Sequence, residues 1–427
     1  MTPKVLVISN ECFSKTSSNG RTLGNFFVGW PKDKLAQFYL TGTPDDDCCD
    51  SFFQVSDRQA LNAILKRGSI GGEKICEART ESKSAFTQSG ERRTKRNALT
   101  MLGRNAIWKT GAWQRSGYWD WVNKYQPDVI LLQAGDCAFM YDIAVKTVQR
   151  QNARLVIYNS EGYYYKDFDY FRGTGLAHIL YPAFRMQLRK SLEKAYGIAS
   201  CVIYICDELK EAYAKDFHGR AETVFTGSDV QFEEKNAQNE VFTTVYCGNL
   251  GLKRHESLID IAEELQRIDE SLFVDVYGKA NAEVETALEG CKGIHYHGLV
   301  PYEEVKRMLR DSDLLLYVES FDEFYQEDIK FGFSTKIADS LSCGNCFLLY
   351  SPEHFACHQY LKNNQAAFTA ANRQELATIL DELVHNPESR EKYREKALAL
   401  AEQNHRIAKN NVKFQTILRE AASEEMK

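Results

Sequence analysis

The residues best placed to do chemistry are Ser334, Thr335, Lys336 and Asp339, in the run Phe-Ser-Thr-Lys-Ile-Ala-Asp-Ser-Leu-Ser-Cys-Gly. Ser334 is a good helix N-cap, and Gly344 is placed to end that helix about three turns later. The amides that open a helix have no intrahelical acceptor, and the helix dipole favours an anion there. Ser334 and Thr335 add hydroxyls and Lys336 adds a positive charge. Asp339 follows Lys336 by three residues, so it falls on much the same side, one turn further in. Diphosphate at the helix tip and ribose hydroxyls on Asp339 would account for this spacing. Read plainly, Ser334 is only a cap and Lys336–Asp339 a solvated pair.

Two apolar runs hold this helix. Residues 314–318 precede it and 347–350 follow it, and both read as parallel strands buried on two faces. The helix therefore starts at the carboxyl ends of the strands, with Ile337, Ala338 and Leu341 toward the sheet. Upstream, 242–247 reads as a strand, Gly248-Asn249-Leu-Gly-Leu-Lys253-Arg254-His as a loop and 256–268 as a helix. A further strand, 272–277, ends at Gly278. The segment Ile294-His-Tyr-His-Gly-Leu-Val300-Pro leads into a short helix, and His295 and His297 read as strand-end residues rather than ligands.

The Ser334 helix resembles the donor-site helix of the retaining glycosyltransferases of family 4 (glycosyl transferases group 1). Their GT-B fold is α/β, two Rossmann-like doubly wound domains facing across a cleft. The resemblance implies a nucleotide-sugar donor in the second domain. Its diphosphate would meet Gly248, Lys253, Arg254, Ser334, Thr335 and Lys336, its ribose Asp339, and its base the backbone around Val300. Gly278 and Asn249 line the same loops. The sequence departs from the family pattern twice. Phe331 stands where a glutamate is usual, eight positions before Asp339, and Asn249 stands where an arginine is common. Glu319, Asp322, Glu323, Glu327 and Asp328 are possible substitutes for the glutamate.

The first half alternates strands and helices: strand 4–9, helix 23–30, strand 129–133, helix 138–151, strand 154–159, helix 181–195, strand 201–206 and helix 208–217. This pattern means a parallel, doubly wound domain. The loop after its first strand, Asn19-Gly20-Arg21, resembles the glycine-containing loop that lines the cleft in GT-B enzymes. Strand 154–159 ends at Ser160-Glu161-Gly162-Tyr163-Tyr164-Tyr165. A carboxylate and aromatic rings at such a strand end sit where open α/β sheets bind ligands. Gly20, Arg21, Glu161 and Tyr163 are the candidate acceptor residues, with Lys253 and Glu161 the candidate catalytic ones. The expected domains are 1–227 and 242–405, with 228–241 as linker and the helix 406–427 returning to the first domain.

Residues 62–115 hold twelve Lys and Arg against four Glu, a local balance of +8 in a chain of net −6. Trp108, Trp113, Tyr118, Trp119 and Trp121 follow closely. The segment is either a solvated insertion with an aromatic helix packed behind it, or a surface for an anionic partner, either a membrane headgroup layer or a phosphate-bearing acceptor. Nucleic acid is disfavoured by the overall charge. No apolar run spans a bilayer, and the chain enters a strand within a few residues, so a signal peptide is not expected. Twelve cysteines scattered without a His-rich neighbourhood suit reduced thiols in the cytoplasm, where the protein is free or peripheral on the membrane face.

The resemblance implies a metal-independent, retaining transfer to a glycan or lipid-linked glycan, as in surface polysaccharide synthesis. No metal site and no cofactor is expected beyond the nucleotide-sugar as co-substrate. A non-catalytic partner subunit and a nucleotide-sugar epimerase of the same fold remain open alternatives.

Overall fold

The computed structural model describes residues 2–14, 18–45, 48–74, 96–232, 239 and 241–424. The chain divides into two compact units, Met1–Val224 with Asn411–Lys427, and Phe225–Asn410.

The first unit is an eight-stranded sheet in the order β4-β3-β2-β1-β5-β6-β7-β8. Its strands are β1 Val5–Glu11, β2 Leu35–Thr41, β3 Ser51–Gln54, β4 Gly72–Lys74, β5 Val129–Gln133, β6 Arg154–Asn159, β7 Cys201–Tyr204 and β8 Ala221–Thr223. All neighbours run parallel except β4, which returns antiparallel along β3. The buried apolar runs of β1, β5 and β6 make this sheet two-sided, as parallel sheets must be. Its helices are α1 Ser18–Phe26, α2 Asp57–Leu65, α3 Ala98–Lys109, α4 Tyr118–Tyr125, α5 Ala138–Gln151, α6 Leu176–Ile179, α7 Tyr181–Tyr196 and α8 Asp207–Ala214.

One expectation is corrected here, and one alternative is decided. Asn19, Gly20 and Arg21 form the first turn of α1 rather than a loop, and α1 ends at Phe26 rather than at residue 30. A glycine weakens a helix least in its first turn, where the amides lack intrahelical partners in any case. The aromatic run after the basic segment is core, not surface. Trp108, Trp113, Tyr118 and Trp121 are all at most 5% exposed. They pack among themselves and on Phe38, Phe53 and Phe139, leaving Trp119 half-buried under Arg150. Arg92, Arg93 and Lys95 lie outside the described residues.

The second unit has a six-stranded parallel sheet in the order β11-β10-β9-β12-β13-β14. The strands are β9 Thr244–Cys247, β10 Val274–Tyr277, β11 Ile294–Gly298, β12 Leu314–Val318, β13 Cys346–Tyr350 and β14 Phe368–Ala370. Helices α9 Arg254–Ile268, α10 Ala282–Glu289, α11 Tyr302–Asp311, α12 Glu323–Ile329, α13 Thr335–Ser342, α14 Ala356–Asn364, α15 Arg373–His385 and α16 Pro387–Asn404 surround it. Residues 228–230 are not a free linker. Ser228 and Val230 are buried, and the Ser228 amide donates to the His405 carbonyl at 2.8 Å. Among the described residues no helix is long and apolar enough to cross a membrane.

Helix α17, Ile407–Ser423, supplies its second half to the first unit. Phe414 is fully buried and stacks on Phe26 at 4.4 Å with rings nearly parallel, beside Ile417, Leu418 and Ala421. Gln415 donates to the carbonyls of Phe26 and Val28, so the polar side of the helix is also tied down. Phe414→Ala removes a buried ring from this seam. Urea denaturation should read a loss of about 3–5 kcal/mol for the first unit.

Candidate functional site

In the second unit the predicted donor residues gather at the carboxyl edge of the sheet. Gly248 follows β9 and donates to the Tyr277 carbonyl at 2.8 Å. Gly278 follows β10 and donates to the Gly298 carbonyl at 2.8 Å. A Cβ on Gly278 would collide with the Gly248 carbonyl oxygen, and one on Gly248 would meet Tyr246 Oη and Lys336 Nζ. Both positions therefore need glycine for space, not for a positive φ.

Helix α13 points its start at this edge. Ser334 has extended dihedrals and its hydroxyl accepts from the Lys336 amide at 3.3 Å. Ile337, Ala338 and Leu341 are fully buried. Gly344 closes the helix at φ +74, where a side chain would also strike the Phe232 ring. Lys336 then runs back over Gly248, its ammonium 5.5 and 5.7 Å from the Tyr246 and Tyr317 ring centroids. The side chain as a whole is half-buried. Burial, with Arg254 nearby, pushes its pKa down to about 8. Glu319 and Asp339 pull weakly the other way.

Arg254 and Lys253 are less open than the sequence suggests. Arg254 is the first residue of α9, and its Nε and Nη2 both lie 2.7 Å from Glu319 Oε2. Glu319 is buried and also accepts from Tyr317 at 2.7 Å. Burial opposes the charge on Arg254, and the Glu319 carboxylate more than offsets it. Lys253 lies 2.7 Å from Asp322 and 3.5 Å from Glu256. Its pKa is raised, chiefly by Asp322. Both Leu252 and Lys253 sit in the left-handed region, φ +60 and +59. That costs roughly 1–2 kcal/mol per residue, the kind of strain kept at working loops. Asn249 turns this loop, its Oδ1 accepting from the Gly251 amide at 2.8 Å.

Asp339 is placed where expected but is already engaged. Oδ1 accepts from Ser228 at 2.6 Å and Oδ2 from Tyr302 at 3.4 Å. Tyr302 opens α11, just beyond half-buried Val300. Of the acidic substitutes proposed for the missing glutamate, Glu319 is held by Arg254, Asp322 by Lys253 and the α12 cap, and Glu327 by Lys330. Phe331 lies under Lys330. His295 and His297 flank Asp275 at 3.6 and 2.7 Å.

The acceptor candidates belong to the first unit. Glu161 follows β6 and its carboxylate lies 3.8 Å from Lys166 Nζ. Lys166 is buried and stands 4.9 and 5.3 Å from the Tyr163 and Tyr170 ring centroids. Buried Asp136, in the loop after β5, joins them. It pairs with Arg96 and accepts from Tyr170 at 3.3 Å. Burial, with Glu161 and Asp136 adding to it, holds the Tyr163 phenol well above its usual pKa. Gly20 and Arg21 are placed separately, on α1 beyond β1.

Asp136, Ser228 and Tyr302 escaped the sequence reading. Asp136 had one signal, its place three residues after a predicted strand. Ser228 and Tyr302 had none, since their partner lies 111 and 37 residues away.

Residues 254–416 match a family model described as glycosyl transferase-like. A search of curated proteins gives no match. Among solved structures, the chain is similar to HepE of Anabaena in complex with UDP, at 12% identity and TM-score 0.62 over 98% of this chain and 100% of that one. It is similar to a sucrose-phosphate synthase of Thermosynechococcus elongatus, at 9% identity and TM-score 0.61 over 98% of each chain. It is also similar to WaaG, a glycosyltransferase involved in lipopolysaccharide biosynthesis, at 12% identity and TM-score 0.54 over 98% of each. The chain has the GT-B fold, two parallel-sheet α/β domains, and carries a glycosyltransferase-like domain.

A desolvated cation costs stability unless an anion meets it. Lys336→Met should therefore raise the melting temperature of the free protein near pH 7. The gain should shrink as pH rises through about 8 toward the unfolded lysine's value, because the wild-type ammonium then loses its proton in the fold first. A variant that melts lower at neutral pH would make Lys336 a structural residue.

Proposed function

We propose that this chain is a glycosyltransferase that moves a sugar from a nucleotide-diphosphate sugar to a glycan or lipid-linked acceptor. The observation that carries the reading is the half-buried Lys336, whose ammonium lies over Gly248 at the start of α13. A diphosphate there would meet a cation and helix amides already in place. Such groups stabilise the charge that develops as the nucleotide leaves, without a metal ion. Lys253 would exchange Asp322 for phosphate, while Arg254 stays paired with Glu319. Asp339 would take ribose hydroxyls and the backbone at Val300 the base. Glu161 and Tyr163, with Lys166 and Asp136, would serve the acceptor. Retention at the anomeric carbon follows the family 4 resemblance. UDP is the first nucleotide to test, because HepE is complexed with UDP.

One observation favours a second reading. Lys253 and Arg254 are both neutralised by carboxylates in the free chain. A binding subunit without turnover would tolerate that. Donor hydrolysis or transfer separates the two, since a binding subunit shows neither.

UDP at 100 times its dissociation constant should add about 2.7 kcal/mol to stability, read as a rise in melting temperature. Asp339→Asn should raise the donor KM by about tenfold, as expected when a charged acceptor of a hydrogen bond is lost, with little change in melting. Activity should persist in a chelator. If no uridine or other nucleotide shifts the melting temperature, the donor site is not one; if activity needs added Mg²⁺ or Mn²⁺, the metal-free leaving step is wrong.

A further inference from the structure

Helices α6 and α7 follow each other with only Leu180 between them, in helical dihedrals. Together they carry a stripe at residues 176, 179, 183, 186, 190 and 194, spaced by three or four as one helical face requires. Every member is exposed. The first four are Leu176, Ile179, Ala183 and Met186, and the last two are Lys190 and Lys194. Leu176, Ile179 and Met186 are 58%, 72% and 69% exposed. The opposite face of α7 does the ordinary work of a surface helix. Tyr181, Phe184, Leu188, Leu192 and Ala195 are buried in the first unit. The helix is thus apolar on both faces at its start, which a water-facing helix does not need.

Three further facts select the partner. Helix α3 packs on α6 and α7, with Asn105 donating to Gln187 at 2.7 Å, and its first turn exposes Leu99 at 46%. Between residues 172 and 198 the accessible charges are Arg172, Arg189, Lys190 and Lys194 against Glu193, Arg185 being buried and paired with Asp167, in a chain of net −6. The stripe itself turns basic along its length and meets no run of acids on its own face. A second copy laid on this face would set lysines against apolar side chains or against each other. An anionic bilayer accepts both ends, with apolar side chains in the interfacial layer and ammonium groups among phosphates.

We infer that the α6–α7 stripe, with Leu99 of α3, is a membrane-docking face for anionic lipid. It deepens the glycosyltransferase reading, on which its purpose rests. The chain leaves the carboxyl end of β6, passes Glu161, Tyr163, Lys166 and Tyr170, and then enters α6. The acceptor candidates Glu161 and Tyr163 and the docking face therefore lie on one continuous segment, and a lipid-linked acceptor would arrive with its carrier in the layer that the stripe enters.

The test is sedimentation of the full chain with sucrose-loaded vesicles of phosphatidylcholine alone or with phosphatidylglycerol at about one third, and it needs no substrate. Wild type should pellet with the anionic vesicles, less with neutral ones, and less as salt rises. Ile179→Asp combined with Met186→Asp should lower the partition coefficient by about tenfold or more, since it removes two insertable side chains and adds two negative charges. Lys190→Gln with Lys194→Gln should flatten the salt dependence. Val28→Asp, at another exposed apolar site of the same unit, should bind as wild type does. Unchanged melting temperatures keep the comparison fair, because every altered side chain is exposed. Wild type left in the supernatant at low salt overturns the inference. So does a concentration-dependent dimer that the Ile179→Asp, Met186→Asp variant abolishes, which would give the face to a second copy. Either result leaves donor binding and turnover untouched, so the failure of the docking face and that of the glycosyltransferase reading are separable.

Discussion

A single desolvated cation organises the second unit. Lys336 has no carboxylate in contact among its described partners, and its ammonium rests over Gly248 between two tyrosine rings. Water would solvate that charge better than tyrosine faces do, so the arrangement is a cost in the free protein. The surrounding residues limit the cost without removing it. Glu319 lies close enough to help but gives its oxygens to Arg254 and Tyr317. Arg254, in turn, adds a like charge. Lys336 is thus left without a contacting carboxylate among the described residues, which is the state a site for an anion should keep in reserve.

The rest of the edge follows from where parallel strands end. Each strand delivers its next residue to the same rim, and each rim residue here has a task. Gly248 and Gly278 remove side chains where backbone and Lys336 must pass. Glu319 anchors α9 twice, through Arg254 and through the Ser257 hydroxyl on its carbonyl at 2.8 Å. Leu252 and Lys253 accept left-handed dihedrals so that α9 can start immediately after the loop. The strain and the buried charge are both offset by the apolar core behind them, where Leu258, Ile261, Leu265, Val274 and Val276 are almost fully buried. Stability is given up at the rim and recovered in the core, a common division in proteins that bind and react.

Much of this was legible because it is local. The apolar runs of β12 and β13, the Ser334 cap and Gly344 are read within twenty residues, and the structure puts each where its chemistry says. The α1 start was misread because Asn19-Gly20 is a good turn signal and the favourable burial of Gly20 and Leu23 comes from distant elements. For the tryptophans two readings stood open, a packed aromatic helix and a surface suggested by the basic residues beside them, and their burial selects the packed one, as ring size favours. Ion pairs were the least legible. Lys253–Asp322 and Arg254–Glu319 span 69 and 65 residues, and nothing in the local pattern distinguishes a paired cation from an open one.

The two units also treat charge in opposite ways, and this bears on what each can do. In the second unit, carboxylates are spent on Arg254 and Lys253, while Lys336 is held back for an anion. In the first unit a carboxylate and an ammonium, Asp136 and Lys166, are both buried at the rim. Asp136 is held by Arg96 and Tyr170, and Lys166 lies beside Glu161 and the tyrosines. A sugar hydroxyl presented there would find acceptors and aromatic faces, and a phosphate would find Asp136 and Glu161 against it. On the proposed reading, phosphate chemistry would fall to the second unit, where Lys336 has no contacting carboxylate among the described residues, and hydroxyl chemistry to the first, where Lys166 is met by Glu161 and aromatic rings.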